Sequence, residues 1–361
     1  MDPEILFLIL TTAVKIIVFT FVCTLPIIAY STYAERRVSS IIQDRVGPNR
    51  VGIPLTLFGA KKDIPFSGLL QPLADGLKAF LKEDLVPAHV RKFFFWIAPA
   101  LTAAPAFLCI CIIPFGSSIT VFDQPVKLVI ADIDAGPLFI FAIASLSVYG
   151  ITFAGWASNN KYSLFGAIRA SSQMISYELA MGISAITIIM ISGSLDLREI
   201  VQSQAGMNWN IFYQPVAFIV FFICALAETN RAPFDLPECE NELIGGYHTE
   251  YSSMKLGLFL FSEYVAMFVS SAIMAILFFG GYNFPGMDYF TESPNLLAVL
   301  GLSVFFLKIF LFIFVFMWIR WTIPRFRFDQ LMHLGWKVLI PIALVNMLIT
   351  GFVTAWSNGW F

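Results

Sequence analysis

A short acidic stretch in an otherwise apolar chain contains the residues best suited to chemistry. It carries six carboxylates and one arginine, namely Glu228, Arg231, Asp235, Glu238, Glu240, Glu242 and Glu250. Like charges this close together cannot all be ionised at once, so a group of this kind is suited to holding protons. Apolar segments flank the stretch on both sides, and ionisable groups beside a membrane usually mark an ion or substrate path. The pattern predicts a proton-handling site.

Three more acids are expected to lie near this stretch. Glu178 and Glu263 fall inside apolar segments, each within roughly 11 Å of the predicted cytoplasmic end at 1.5 Å per residue. Glu35, like Glu228, stands at the end of its own apolar segment, on the same side. The functional interpretation is a polar cavity that continues into the acidic stretch. The alternative is that each acid only caps a helix or reaches to the membrane surface.

Lys308 is the basic counterpart of these acids. It lies 12 residues before Arg320 in an apolar segment, which places it roughly 18 Å from the boundary and near mid-membrane. A lysine at that depth needs a carboxylate or water to keep its proton. A place in the proton path and a structural ion pair are both open interpretations.

A basic set accompanies the acids at the segment ends. Arg36 and Arg45 follow Glu35, and the later run Arg320–Met332 adds further arginines among aromatic residues. A cleft of arginine, aromatic and carboxylate groups suits a flat polar head with an apolar tail, such as a quinone. It suits an interface with a partner protein equally well.

The elements that must position these residues are membrane-spanning helices. The chain is 58% hydrophobic and 13% charged, whereas soluble domains carry about 25% charged residues. Eight apolar segments approach the length that crosses a bilayer, and the fifth is the shortest: Ile5–Tyr33, Phe93–Pro114, Leu138–Trp156, Met174–Ser192, Ile211–Ala227, Leu256–Tyr282, Leu296–Trp321 and Trp336–Trp356. We predict an all-α polytopic membrane protein with one membrane domain, residues 1–361, and no signal peptide.

Lysine and arginine predict the orientation. The loops 34–92, 158–172, 228–255 and 320–335 hold 10, 2, 2 and 3 basic residues, whereas the opposite loops hold only Lys127 and Arg198. The positive-inside rule places the basic loops in the cytoplasm and both termini on the other side. We use "inner" below for this predicted cytoplasmic side. No basic tract suggests nucleic acid.

Redox groups are not expected on this chain. The five cysteines form no Cys-x-x-Cys pair, and the three histidines all lie in loops. An iron–sulfur cluster or a haem held by the chain alone is therefore not predicted. Any flavin or iron–sulfur electron carrier must belong to a partner.

The first inner loop contains an amphipathic pattern. Its apolar residues recur at helical spacing, with polar residues opposite them: Leu69, Leu70, Leu73, Leu77, Phe80 and Leu81 against Gln71, Asp75, Lys78 and Lys82. The pattern predicts a helix along the membrane surface or against a partner. Packing on the protein's own loops is the alternative.

Several strings along the chain resemble one family. They are Ala34-Glu-Arg-Arg-Val38, Gln43-Asp-Arg-Val-Gly-Pro-Asn-Arg50, Leu70-Gln-Pro-Leu-Ala-Asp-Gly-Leu-Lys78, Ala154-Gly-Trp156, Gln173-Met-Ile-Ser-Tyr-Glu178, Ala227-Glu-Thr-Asn-Arg-Ala-Pro-Phe-Asp-Leu-Pro-Glu238, Thr249-Glu-Tyr251, Ser262-Glu-Tyr264 and Pro324-Arg-Phe-Arg-Phe-Asp-Gln-Leu-Met332. Together they resemble the quinone-binding membrane subunit of respiratory complex I, which is the H subunit in bacteria and subunit 1 of NADH dehydrogenase in mitochondria.

The resemblance implies one subunit of the enzyme NADH:quinone oxidoreductase, without a complete active site of its own. By that match Glu35, Arg36, Arg45, Arg231 and Asp235 shape a quinone tunnel, with quinone as substrate. The implied proton path is Glu178, Glu228, Glu238, Glu240, Glu242, Glu263 and Lys308. The implied partners are the peripheral-arm subunits, small membrane subunits and antiporter-like subunits, in a bacterial inner membrane.

The chain departs from the family pattern at one place, and three different functions stay open. Roughly fifteen residues around Val51–Pro65 look added before the amphipathic helix. A membrane subunit of an energy-converting hydrogenase resembles the same family without needing a quinone. The chain could also be a passive anchor for the peripheral arm or a secondary transporter, although no inverted repeat or broken helix supports a transporter.

Overall fold

The computed structural model describes residues 3–53, 64–65, 67–121, 124–236, 243–287, 293–357 and 359. Its α-helices are α1 Pro3–Lys15, α2 Leu25–Ile42, α3 Gln71–Leu81, α4 Lys92–Ile110, α5 Gly136–Ala157, α6 Lys161–Ser192, α7 Leu197–Ser203, α8 Asn210–Tyr213, α9 Pro215–Glu228, α10 Ser253–Phe278, α11 Pro294–Thr322, α12 Phe328–His333 and α13 Ile340–Ser357. The prediction of an all-α membrane protein is confirmed.

The membrane spans match the prediction with one difference. Within the described residues, seven helical stretches are long and apolar enough to cross a bilayer. The predicted fifth span, Ile211–Ala227, is the 14-residue helix α9, about 21 Å long against an apolar core of about 30 Å. The short helices α7 and α8 occupy the outer level that α9 does not reach. They are part of the same folded core, since Val201 in α7 and Asn210 at the start of α8 are buried.

The first span is continuous from α1 to α2 through a π-helical segment, Ile16–Thr24. Pro26 is the second residue after this segment and lies in the first turn of α2. Proline has no backbone amide hydrogen to donate, so an α-helical ladder would be interrupted there. Most of this helix is exposed in the isolated chain, and α2 buries Glu35 near its inner end.

Two short hairpins interrupt the helices. Strand β1 (Gly52–Ile53) pairs antiparallel with β2 (Ile64–Pro65), at the edges of the segment that looks added. Residues 54–63 of that segment lie outside the described residues. Strand β3 (Ser118–Val121) pairs antiparallel with β4 (Gln124–Lys127) on the outer side.

The amphipathic helix of the first inner loop is present as α3. Its apolar face is open, with Leu73, Leu77, Phe80 and Leu81 all more than half exposed. The alternative in which this face packs on the protein's own loops is therefore wrong. The other face is tied to the rest of the chain by an ion pair between Arg36 and Asp75, 2.7 Å long.

The core between the helices is built from aromatic rings and close backbone contacts. Phenylalanines join the short α9 to α11, for example Phe222 stacked on Phe316 with ring centroids 5.5 Å apart. Gly150 allows α5 to approach α4 closely, because a Cβ at that position would lie 2.6 Å from the backbone nitrogen of Thr102. These contacts hold α9 against α11 and α5 against α4, next to the helices from which the functional side chains project.

Candidate functional site

A buried arginine joins two carboxylates at the inner ends of the spans. Arg231 lies just after α9, and its guanidinium is 3.1 Å from a carboxylate oxygen of Glu263 in α10 and 3.7 Å from one of Glu35 in α2. Each of the three side chains is less than a tenth exposed. Buried charges of this kind are stable only when they are paired. We call Glu35, Arg231, Glu263, Tyr264 and Arg320 the buried charge cluster.

Tyr264 and Arg320 complete this cluster. The hydroxyl of Tyr264 donates a 2.6 Å hydrogen bond to Glu35, and its ring lies 4.2 Å from the guanidinium of Arg231. Arg320, from the inner end of α11, forms a second ion pair with Glu35. Glu35 therefore has three polar partners from three different parts of the chain, and the cluster ties α2, α10 and α11 together.

A further ion pair joins the acidic stretch to the last inner loop. Arg325 contacts the buried Asp235 at 2.8 Å. Beside it, the amide of Phe326 donates to the carbonyl of Pro233, and the rings of Phe234 and Phe326 stack 5.6 Å apart. The two inner loops thus contact each other through an ion pair, a backbone hydrogen bond and stacked rings.

A buried glutamine holds the segment that carries Arg231. Gln173 in α6 is fully buried and donates 2.8 Å and 2.9 Å hydrogen bonds to the carbonyls of Ala227 and Phe234. These carbonyls flank the turn from Glu228 to Asp235. A single side chain thereby fixes both ends of the turn, so the positions of Glu228 and Arg231 are set by α6.

A cavity between the spans opens from this cluster. It has an empty volume of about 740 Å³, its opening included, and is lined by residues of α4, α5, α6, α9 and α10. Its polar lining includes Glu228, Asn230, Tyr247 and Ser262, and Glu263 lines it as well. Glu263 therefore belongs both to the buried charge cluster and to the cavity wall.

Glu178 extends the acidic lining toward α5. Its carboxylate accepts a hydrogen bond from Ser145, which lies in α5 beside the cavity-lining residues Ala144 and Ser147. Glu178 also interacts electrostatically with Glu228. The predicted gathering of Glu178, Glu228 and Glu263 in the inner half of the protein is thus what the structure shows.

Tyr247 connects the cavity to the loop before α10. It lies in the 3-10 turn Gly246–His248, is 1% exposed, and donates a 3.2 Å hydrogen bond to Glu263. The turn packs directly on α6 at Gly166, where a Cβ would lie 2.8 Å from both the Cα of Gly246 and the amide nitrogen of Tyr247. Glycine at this position is therefore required for Tyr247 to reach Glu263.

Gly166→Ala is expected to destabilise the protein by about 1–3 kcal/mol, because backbone atoms cannot move aside as a flexible side chain would. Gly182→Ala is the matched control in the same helix, since a Cβ there meets nothing within 4 Å. Thermal melting of the assembled protein in detergent measures both. Equal melting temperatures for the two variants would contradict the close packing of the turn on α6.

Three predicted site residues lie apart from the cluster. Arg36 points to α3 through its ion pair with Asp75, and the exposed Arg45 is within 3.5 Å of Ser39 at the end of α2. Lys308 donates to the carbonyls of Phe279, Gly281 and Asn283, just beyond the outer end of α10. Three predicted acids, Glu238, Glu240 and Glu242, lie outside the described residues.

Comparison with known proteins gives the family of this chain. The model of the NADH dehydrogenase family matches residues 14–351. The chain belongs to the NADH dehydrogenase family. It is 56% identical over 338 residues to the H subunit of NADH-quinone oxidoreductase from Flavobacterium psychrophilum, which covers 93% of this chain and 95% of that relative.

Further relatives of the NADH dehydrogenase family agree over the same length. The H 1 subunit of NADH-quinone oxidoreductase from Cytophaga hutchinsonii is 53% identical over 351 residues, 97% of this chain and 98% of that relative. The H 1 subunit from Geobacter sulfurreducens is 47% identical over 351 residues, 94% of this chain and 93% of that relative. The family predicted from the sequence strings is therefore confirmed.

Sequence reasoning missed several residues of the site in this NADH dehydrogenase family member. Tyr264 and Gln173 occur in two of the family-like strings, but neither was assigned a role from sequence. A tyrosine directly after a carboxylate within a span was the available signal for Tyr264. For Gln173 it was an amide at the edge of an apolar segment, since such a group needs a buried partner. The contacts of Ser145 and Tyr247 left no comparable signal.

Proposed function

We propose that the chain is the quinone-binding membrane subunit of a proton-pumping NADH:quinone oxidoreductase, and that it couples quinone reduction to proton translocation. The substrate is a quinone, and the flavin and iron–sulfur carriers belong to partner subunits. This chain contributes the wall of the quinone tunnel and an acidic path that begins there. It contains no complete active site of its own.

The position of Glu263 is the observation that carries this proposal. Its carboxylate pairs with Arg231 in the buried charge cluster and also faces the cavity that Glu228 lines. A change of charge near Glu35 or Arg231 therefore changes the field at Glu263. Neighbouring carboxylates pass such a change to one another through like-charge coupling.

The proposed quinone tunnel lies on the inner side of the cluster. Glu35, Arg231 and Asp235, with Arg320 and Arg325, provide charged and hydrogen-bonding groups that suit the polar head of a quinone. Arg36 and Arg45 belong to the entrance of this proposed tunnel, toward α3 and the inner end of α2. The apolar face of α3 suits the membrane boundary, where a quinone tail arrives.

The proposed proton path runs from this tunnel through Glu263, Glu228 and Glu178. Reduction of the quinone by a partner's iron–sulfur cluster draws protons and changes the charge beside the cluster. The change favours a different proton distribution along the acids, which biases neighbouring subunits to move protons. We propose that Glu238, Glu240 and Glu242 belong to the same path.

The proposed assembly places the chain in a bacterial inner membrane with both termini on the outer side. The excess of basic residues in the inner loops supports that orientation. The inner surface formed by Asp235, Arg325 and their aromatic neighbours is proposed to contact the peripheral arm. Relatives at 47–56% identity are named subunits of NADH-quinone oxidoreductase, which supports this assignment over a membrane subunit of a hydrogenase.

Glu228→Gln tests the path, because the change removes an ionisable group while nearly keeping its shape. In inverted membrane vesicles we expect inhibitor-sensitive NADH:quinone turnover and proton pumping to fall together by roughly tenfold. NADH oxidation by an artificial acceptor at the peripheral arm is expected to stay unchanged, because the complex still assembles.

Glu199→Gln is the matched control, since Glu199 is exposed in the outer helix α7. It should leave turnover and pumping unchanged. Wild-type turnover and pumping in Glu228→Gln would instead support the passive anchor, in which the acids only shape an interface.

A further inference from the structure

The outer end of α10 is enclosed by side chains that satisfy its carbonyl groups. An α-helix leaves its last carbonyls without helical partners, and irregular backbone at membrane depth is tolerated only when it is satisfied by protein or water. Fully buried Gln204 donates to the carbonyl of Ile276 at 2.9 Å, and Asn210 donates to that of Leu277 at 2.8 Å. Both come from the segment around α7 and α8.

Lys308 in α11 completes this enclosure. Its ammonium donates three hydrogen bonds of 2.7–2.8 Å, to the carbonyls of Phe279, Gly281 and Asn283. Within the described part of the chain, Lys308 forms no ion pair with a carboxylate. Its counter-charge is the negative end of the α10 dipole together with these carbonyls. We call Gln204, Asn210, Asn283 and Lys308 the outer cap.

The chemistry of the ammonium argues against proton transfer at this position. A lysine ammonium has three hydrogens and no acceptor, and all three are engaged by carbonyl oxygens. Losing a proton would leave one of these carbonyls without its donor inside the protein. Such a loss costs about 1–3 kcal/mol for each buried group left unsatisfied.

The cap lies on the same helix as the buried charge cluster. Glu263 precedes the end of α10 at Phe278 by 15 residues, or roughly 22 Å along the axis. A slip of one residue would move Glu263 by about 1.5 Å and rotate it by about 100°. The 3.1 Å contact between Glu263 and Arg231 could not survive that slip.

The two ends of α10 are held differently. At the inner end, Ser253 donates to the carbonyls of Ala79 and Lys82 at the end of α3, and buried Lys255 forms a 2.9 Å ion pair with Asp84. At the outer end, the partners Gln204, Asn210 and Asn283 are all buried. The inner half of α10 is held through side chains of the buried charge cluster, whereas the outer cap holds the other end through its backbone carbonyls.

We propose that Lys308, with Gln204 and Asn210, is a cationic cap that fixes the outer end of α10 and thereby positions Glu263, and that its ammonium carries no transported proton. Lys308 is on this view a positioning residue for the buried charge cluster. The inference rests on the proposed function only where it concerns turnover, since the position of α10 can be measured separately.

A cysteine pair at Ala79 and Gly257 reports that position. A Cβ at Gly257 would lie 3.8 Å from the Cβ of Ala79, and disulfides need a Cβ–Cβ distance of about 3.5–4.5 Å. In the assembled complex, mild oxidation should join α3 to α10 nearly completely. The pair is then combined with Lys308→Met, Lys308→Arg, Gln204→Leu and, as the control, exposed Lys337→Met.

Lys308→Met and Gln204→Leu are both expected to lower the cross-link yield several-fold and turnover per assembled complex by roughly tenfold, as misplacement of a functional group does. Lys308→Arg should restore both, because arginine keeps the charge and the donors. Lys337→Met should change neither. If Lys308→Met fails to assemble, Gln204→Leu still tests the cap. Glutamine cannot carry protons, so an effect of Gln204→Leu on turnover must come from the position of α10.

Wild-type cross-linking in Gln204→Leu would overturn the cap. Normal cross-linking with lost pumping in Lys308→Arg would overturn the exclusion of proton transfer, because arginine does not deprotonate in proteins. A lowered cross-link yield with unchanged turnover would support the cap and contradict the proposed role of Glu263 instead.

Discussion

Arg231→Met is expected to prevent stable folding of the inner half of the protein, at a cost of about 3–5 kcal/mol. The guanidinium is the shared partner of Glu35 and Glu263, and all three side chains are less than a tenth exposed. Its removal leaves two carboxylates in a space that water does not readily reach. The amount of assembled complex in membranes and its melting temperature measure the loss.

Arg36→Met is the matched control for this prediction. Arg36 pairs with Asp75 at 2.7 Å, but its side chain is 49% exposed. An exposed ion pair contributes about 0–1 kcal/mol, so the melting temperature should hardly change. Adding Glu263→Gln to Arg231→Met should recover part of the loss, because it removes a buried carboxylate that has lost its arginine, whereas Glu35 keeps its ion pair with Arg320. Equal effects of Arg231→Met and Arg36→Met would contradict the structural role of the cluster.

Glu263→Gln is expected to lower proton pumping and inhibitor-sensitive quinone turnover by at least about tenfold. Glutamine keeps the size of the side chain and an acceptor for Arg231, but it carries neither charge nor proton. Because Glu263 joins the cluster to the cavity, its loss should interrupt coupling at the point where the two meet. Pumping measured per complex in vesicles gives the result.

Tyr247→Phe separates the carboxylate from its hydrogen bond. The change removes the 3.2 Å donor to Glu263 and leaves the acid in place, so we expect a reduction of about two- to fivefold, corresponding to one hydrogen bond of roughly 0.5–1 kcal/mol. For the preceding variant, Glu263→Gln, the contradicting result would be the wild-type number of protons pumped per quinone reduced. The proposed path would then have to bypass α10.

Apolar segment length and composition largely determined the fold class. Seven of the eight predicted spans contain helices of sufficient length, because burying a backbone in lipid requires its hydrogen bonds to be made within the helix. The recessed helix α9 was not predictable to the same degree. Its short length is acceptable only because α7, α8 and the turn after α10 fill the outer level, and that is a tertiary property.

The sequence was enough to predict which acids gather at the site, but not which side chains pair with them. The distance of each residue from the end of its predicted span was enough to place Glu178, Glu228 and Glu263 in the same half of the membrane, because distance along a helix follows from residue number. The sequence did not indicate that Arg231 would bridge Glu35 and Glu263, or that Tyr264 would donate to Glu35 across 229 residues of chain. Such pairings depend on which faces of the helices meet.

Lys308 shows most clearly what the sequence determines and what only the packing of the helices decides. Its place in an apolar segment was enough to predict a lysine deep in a span that needs partners, because an ionised group is costly to bury alone. Whether those partners are carboxylates or carbonyls depends on which neighbouring elements end at the same depth. The packing of the helices settles this, since α10 ends beside α11 and the carbonyls of Phe279, Gly281 and Asn283 surround the ammonium.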